Sequence, residues 1–251
     1  MKHFNIKLAE SADEVRSAQR LRYSVFVEEM GCRLPAAGDG GLDVDRFDEL
    51  CDHIVIVDRS TKETIGTYRL LRRSRLGPQD RFYAEGEFDI ASIRALPGEI
   101  VELGRSCVHK DYRRQAILNR LWAQIAAYIK QHRVKYLFGC SSVYTTRPQE
   151  VSRFYDLLLR RYSAPAASRV RPLHGREVPG LAPGTLKRGE GKEVLLKLPS
   201  LIRSYLKLGA RVCGPPALDE EFGTVDFFML LSVAEMSRTY LERLGISEVT
   251  A

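Results

Sequence analysis

The apolar run Val101-Glu102-Leu103-Gly104-Arg105-Ser106-Cys107-Val108-His109 places a carboxylate and a guanidinium three residues apart in what reads as a buried strand. An ion left unpaired in a low-dielectric interior costs on the order of several kcal/mol. Glu102 and Arg105 are therefore expected to pair with each other, to meet something that binds there, or both. Glu102 is the candidate general base, acting directly or through a water. Burial raises a carboxyl pKa and a neighbouring guanidinium lowers it, so the sequence leaves its protonation state open. The basic stretch Tyr112-Arg113-Arg114 follows at once and opens a helix. Strand, charged pair and basic helix start together point to a site for a phosphate-bearing donor. Cys107 lies beside them, but a lone buried cysteine is commonly a small hydrophobe, and no histidine is placed by motif to activate it. His109 reads as a residue of the strand end.

These residues need a scaffold. The chain has 251 residues, 44% hydrophobic and 28% charged, which is long enough to bury a sizeable core without staples. Ser11-Ala12-Asp13-Glu14 reads as a capping box, with Ser11 as N-cap and Glu14 returning to it. Val15, Ala18, Leu21, Val25 and Phe26 then follow at helical spacing up to Gly31. Residues 32–49 form a loop rich in Gly and Asp. His53–Val57 and Ile65–Leu71 read as strands joined by the polar turn at residues 58–63, a hairpin. A short helix is expected near Ile90–Ala95, then the strand at residues 100–109. Ile117, Leu121, Trp122, Ile125, Ala126 and Ile129 share one face of an amphipathic helix at residues 113–131.

Lys135–Val143 is a further buried strand, and Pro148–Tyr162 a helix with Pro in its first turn. Residues 163–193 form an irregular connection. A helix at residues 199–208 stops at Gly209, a strand spans Thr224–Leu231, and a last helix begins at Val233 and runs to about residue 245. The order predicts one mixed α/β domain over residues 1–251.

Composition bounds the partners. The net charge is +7 and the pI about 9.2, which favours an acidic partner such as a carrier protein, a nucleic acid or an anionic membrane surface. No helix-turn-helix, zinc or aromatic RNA motif supports nucleic acid. The five cysteines are odd in number and form no C-x-x-C pair, so neither a metal site nor a disulfide framework is expected, and a reducing cytoplasm fits. No stretch reaches the ~18 apolar residues of a spanning helix, and the first residues do not read as a signal peptide.

The element order resembles the GNAT acyltransferase superfamily. That resemblance implies a mixed, mostly antiparallel central sheet with a splayed parallel strand pair and flanking helices. Typical members hold the pyrophosphate of coenzyme A at a Gly-rich helix start. Here the place reads Tyr112-Arg113-Arg114-Gln115-Ala116-Ile117-Leu118, without glycine. A carrier-protein donor, with a phosphopantetheine arm and no pyrophosphate, does not need that cradle, and no separate cofactor is implied.

A narrower resemblance rests on Leu21-Arg22-Tyr23-Ser24-Val25-Phe26-Val27-Glu28-Glu29, Asp45-Arg46-Phe47-Asp48, Gly66-Thr67-Tyr68-Arg69-Leu70 and Glu102-Leu103-Gly104-Arg105, in this order. They look like the shared pattern of acyl-homoserine-lactone synthases and ornithine-lipid N-acyltransferases. The stretches 198–216 and 219–227 resemble the second half of the ornithine branch.

The resemblance implies transfer of a fatty acyl group, of the 3-hydroxy type, from acyl carrier protein to the α-amine of ornithine. Its alternatives are lactone synthesis from S-adenosylmethionine or another amine acceptor. A non-catalytic basic binding protein is the reading from a different class. The implied substrate-binding residues are Arg22, Phe26, Asp45, Asp48 and Arg69. The two aspartates would hold cationic amines, and the two arginines would hold a carboxylate or knit a structural ion network. Tyr155 is the implied acid. Backbone N–H groups near Cys107 and Val108 are the implied oxyanion donors, and Arg113 and Arg114 would meet the donor. The basic surface would dock the acidic carrier, and peripheral association with the inner membrane face would deliver a lipid product.

Overall fold

The computed structural model describes residues 4–33, 40–113 and 115–243. Part of the Gly-rich loop, Arg114 and the expected end of the last helix lie outside them. The strands are β1 (Phe4–Leu8), β2 (Asp52–Asp58), β3 (Thr64–Arg72), β4 (Phe88–Asp89), β5 (Glu99–Val108), β6 (Val134–Val143), β7 (Arg171–Pro172), β8 (Arg211–Val212), β9 (Ala217–Asp219) and β10 (Thr224–Ser232). The helices are α1 (Ala12–Tyr23), α2 (Ala91–Arg94), α3 (Gln115–His132), α4 (Pro148–Tyr162), α5 (Gly191–Lys197), α6 (Ser200–Leu208) and α7 (Arg238–Arg243).

The main sheet runs β1-β2-β3-β5-β6-β10-β8, with β9 also on β10. Its neighbours are antiparallel except β5 and β6, which are parallel. This is the mixed, mostly antiparallel sheet expected. The parallel register covers only Glu99 to Glu102 against Val134 to Phe138. Both strands continue, to Val108 and Val143, without pairing again, so they splay. Gly139 sits at the divergence, where a Cβ would lie 2.3 Å from the Leu103 carbonyl oxygen. Only glycine lets the backbones approach so closely before they part.

The predicted apolar face of α3 is buried: Ile117, Leu121, Trp122, Ile125, Ala126 and Ile129 pack with Tyr68, Leu137, Phe154 and Tyr205 on one face of the sheet. A second cluster, including Phe82, Phe88, Ile93, Phe138 and Phe228, fills the other face. A smaller one joins α1 to β5 through Leu21, Val25, Phe26, Cys32 and Cys107.

The local chemistry departs from expectation at two places. Ser11 caps α1 by accepting from the Glu14 N–H, but the Glu14 carboxylate reaches the Glu10 N–H, one residue short of the cap, and also pairs with Lys7. The helix after β10 is broken. A single 3₁₀ turn (Val233–Glu235) gives way to extended backbone at Met236, because the Ser237 N–H donates to the Leu208 carbonyl at the end of α6, and α7 starts only at Arg238. The first helix continues past Tyr23 as a wider, π-type turn (Ser24–Glu29) and stops at Gly31, whose φ is +74°. As expected, α6 ends at Gly209 in the left-handed region.

Candidate active site

An open cleft with a cavity volume of about 120 Å³ occupies the gap between the splayed halves of β5 and β6. Leu103 to Ser106 line one side and Cys140 to Ser142 the other. Tyr68 and Arg69, which point to opposite faces of β3, both border it, so the cleft passes through the sheet. Phe47, Cys51, Tyr83, Asp219 and Phe222 wall one end, and Pro199, Leu201, Ile202 and Tyr205 the other.

A strand that alternates strictly would send Glu102 and Arg105 to opposite faces. A β-bulge resolves this: Gly104 pairs with Arg69 and Cys107 with Thr67, so two residues of β5 stand against Tyr68 alone. Arg105 takes φ +51°, a left-handed conformation uncommon for a non-glycine residue. Both side chains therefore border the cleft.

They do not pair with each other, which corrects the expectation of a mutual salt bridge. The Glu102 carboxylate accepts from the Tyr83 and Ala84 backbone N–H groups, each at 2.7 Å, and so caps the 3₁₀ turn Tyr83–Gly86. Burial raises its pKa to about 7, against the lowering effect of those two bonds and of Arg69. Arg105 turns instead to Asp43 and Asp45, each at 3.3 Å, and its guanidinium lies over the rings of Tyr83 and Phe222.

Asp43, which no sequence signal singled out, joins the ion network that was one of the two readings of Arg22 and Arg69. Fully buried Arg22 donates through Nε to Asp43 and holds Asp48 with two bonds, all three at 2.8 Å. Arg69 reaches Asp45 at 2.6 Å and Asp48 at 3.1 Å. Gln19 and the Asp45 backbone N–H also donate to Asp48. The contacts that hold Asp48 ionised outweigh its burial and keep it well below the ordinary carboxylate range. Arg22, Arg69 and Arg105 are thus balanced by Asp43, Asp45 and Asp48. Of the residues expected to bind substrate, only Arg69 and Phe26 line the cleft. Arg22 and Asp48 are locked in the network, and Asp45 borders an adjoining hollow. Asp45 and Asp48 are paired with arginines.

The other expected residues lie elsewhere. Tyr155 packs in the core beneath α4 and is not part of the cleft wall, whereas Tyr68, Tyr83, Tyr144 and Tyr205 are. Cys107 is buried in the cluster under α1, and burial pushes its thiol up to about 12. Val108 packs against the main core, and its carbonyl accepts from Arg113. Arg113 is further held by both oxygens of Glu29 at 2.6 Å, tying the end of β5 to the first helix. Asp226 is a residue the sequence could have flagged. It stands in Val225-Asp226-Phe227-Phe228-Met229, a charge in an apolar strand like Glu102. Glu87 and Tyr83 sit in polar loop sequence and carry no such signal.

Among the described residues no helix is long and apolar enough to cross a membrane. Residues 21–123 match the family model of the acetyltransferase (GNAT) domain. The chain is 36% identical to the L-ornithine N(alpha)-acyltransferase of Rhodobacter capsulatus, covering 95% of this chain and 93% of that one. It is 32% identical to the protein of the same name from Brucella abortus, covering 96% and 88%. Among solved structures it shares its fold with the acyl-homoserine-lactone synthase LasI, at TM-score 0.56 and 12% identity over all of both chains. It also shares it with FeeM, an N-acyl amino acid synthase from uncultured soil microbes, at TM-score 0.55 and 12% identity over 97% and 99%.

Proposed function

The chain belongs to the family of L-ornithine N(alpha)-acyltransferases, and from that premise we propose that it transfers a fatty acyl group from acyl carrier protein to the α-amine of ornithine. The observation that carries this reading is Glu102: a buried carboxyl with a pKa near 7, in a cleft that passes through the sheet at the splayed strand pair. A base of that strength takes a proton from an ammonium or attacking amine at neutral pH.

The amine nitrogen attacks the thioester carbonyl carbon and loses a proton to Glu102, directly or through a water. The C–S bond breaks, an amide forms, and the thiol leaves carrying a proton. The acceptor carboxylate is held by Arg105 and Arg69, the guanidinium groups on the cleft wall. Arg105 Nε is buried 3.3 Å from Asp43 Oδ2 without a well-aligned hydrogen bond, so an acceptor carboxylate would share it with Asp43. Tyr144, exposed at the mouth, and the hydroxyl-bonded pair Tyr68 and Tyr205 in the wall replace Tyr155 as the tyrosines near the reacting atoms. The end formed by Pro199, Leu201 and Ile202 is apolar enough for an acyl chain.

A carrier-protein donor is favoured by the glycine-free helix start at residues 112–118 and by the net charge of +7, which attracts an acidic carrier. The lysolipid product would leave through peripheral contact with the inner face of the membrane from a cytoplasmic enzyme. The test is purified protein with 3-hydroxyacyl carrier protein and a panel of amino acids, with and without S-adenosylmethionine, read by mass spectrometry. Nα-acylornithine is the expected product. No acyl product with any amine overturns the reading, and a lactone formed only with S-adenosylmethionine replaces it.

A further inference from the structure

Three buried carboxylates at the cleft are left over when the arginines have been matched. Glu87, Asp219 and Asp226 have no Lys, Arg or His partner within 4.0 Å among the described residues, although each is no more than 5% exposed. Asp219 and Asp226 line the cleft. Glu87 lines the adjoining hollow, which shares Tyr83, Arg105 and Asp219 with it. Asp219 accepts from the backbone N–H groups of Glu221 and Phe222, and Asp226 from the Thr224 hydroxyl. Glu87 Oε2 is buried without a hydrogen-bond partner, and the only side-chain bond to its carboxyl among the described residues is from the Cys140 thiol. A carboxylate oxygen of Glu87, one of Asp226 and the Cys140 Sγ lie within 4.8 Å of one another.

An orphaned carboxylate oxygen in a dry site is costly, and a second carboxylate beside it adds repulsion. Burial, with the fields of Asp226 and Asp219, pushes Glu87 well above the ordinary carboxylate range, and burial with the field of Asp219 pushes Asp226 to about 7. A cation with several N–H donors removes both costs. A lysine-type ammonium brings one charge and three donors on a flexible stem. A metal ion would ask the third donor, Cys140, to ionise. Its thiol is pushed well above its usual value by burial and by Glu87, Asp226 and Glu102, whereas an ammonium asks nothing of it.

We infer that Glu87 and Asp226, with Asp219 behind them, form the receptor for the side-chain ammonium of a diamino-acid acceptor, and so set its specificity. The inference rests on the proposed function and extends it. The α-amine is placed at Glu102, the α-carboxylate at Arg105 and Arg69, and the distal ammonium at the carboxylate pair. Glu102 and Glu87 belong to opposite ends of one short turn. Glu102 holds its first two N–H groups, and Glu87 follows its last residue.

The experiment measures kcat/KM for L-ornithine and for L-norvaline, which is ornithine without the distal amine, on the full chain and on Glu87→Gln, Asp226→Asn and the double variant. The native protein is expected to prefer ornithine by roughly 100-fold or more. The variants are expected to bring the ratio toward one, through KM for ornithine. A ratio is insensitive to a reduced folded fraction, which scales both substrates alike. An unchanged ratio in the variants, or equal use of the two substrates by the native protein, overturns the inference. So does a stoichiometric metal ion in the purified native protein that the variants lose. If no amine is acylated, the proposed function falls and calorimetric binding decides the subsite. Preference for ornithine over norvaline, lost in the double variant, sustains it, and no preference overturns it.

Discussion

Glu102, the proposed base, has both carboxylate oxygens committed to backbone N–H groups. A glutamine there has one acceptor oxygen for two donors, so Glu102→Gln leaves one buried N–H unmatched. That should lower stability by about 1–3 kcal/mol in denaturant titration and reduce turnover by roughly 10²-fold or more. With the native residue, kcat/KM should rise with pH and level off above about 7, as Glu102 loses its proton. A rate that is flat across this range would remove Glu102 from the base role. Arg22 makes a different prediction because it touches no cleft. Arg22→Ala leaves Asp43 and Asp48 buried without their main cation, and should cost about 3–5 kcal/mol, seen as a loss of soluble protein or a large drop in Tm.

The strand pair β5 and β6 is the element that turns a sheet into a site. It pairs over a few residues and then opens, and Gly139 stands at the point of closest approach. Gly139→Ala forces a Cβ to within 2.3 Å of the Leu103 carbonyl, backbone that can yield only if the strands separate. Overpacking of this kind costs about 1–3 kcal/mol, and here it should widen the parallel pairing itself, so activity should fall further than the Tm predicts. The bulge at Arg105 works at the same scale. It resets the alternation of β5 so that a base and a guanidinium three residues apart both border the cleft.

At the scale of the whole molecule, buried acids decide how stability responds to pH. Glu102 and Asp226 are both raised to about 7, from ordinary values of 4.5 and 3.8, and Glu87 is raised as well. Between their unfolded and folded pKa values the folded chain holds protons that the unfolded chain has released. Stability from these groups therefore falls as pH rises through that window and is greatest near its acidic edge. Asp48 acts in the opposite sense: its pKa is depressed, so its contribution is present above about 3.8 and is lost only in stronger acid. The unliganded protein should have a higher Tm near pH 5.5 than near pH 8, and Asp226→Asn should flatten that slope. The net charge of +7 gives a further expectation. If the donor arrives on an acidic carrier, kcat/KM for the carrier-bound substrate should drop steeply between low and physiological salt, with kcat little changed.

Most of the long elements were legible in the sequence because periodicity and caps are local, whereas β1 and α5 were not. The apolar face of α3, the hairpin β2–β3 and the Gly209 stop stand where spacing puts them, while the last helix breaks because Ser237 answers to Leu208, far away in the chain. Charge in an apolar run marked Glu102 and Arg105 as members of a site, and the same signal at Asp226 was there to be read. Residue order also pointed to the family, through the resemblance that rested on Arg22, Asp45, Asp48, Arg69, Glu102 and Arg105 standing in that order. What only the tertiary structure decided is who partners whom. A strand's alternation forbids Glu102 and Arg105 one face, and a bulge restores it. Asp43, from a loop with no pattern, takes Arg105 and Arg22, and two backbone N–H groups take Glu102. Coulomb and hydrogen-bond energies depend on distances of a few ångströms between groups tens of residues apart, and those distances come from packing. Sequence spacing sets them only within a helix turn or a strand.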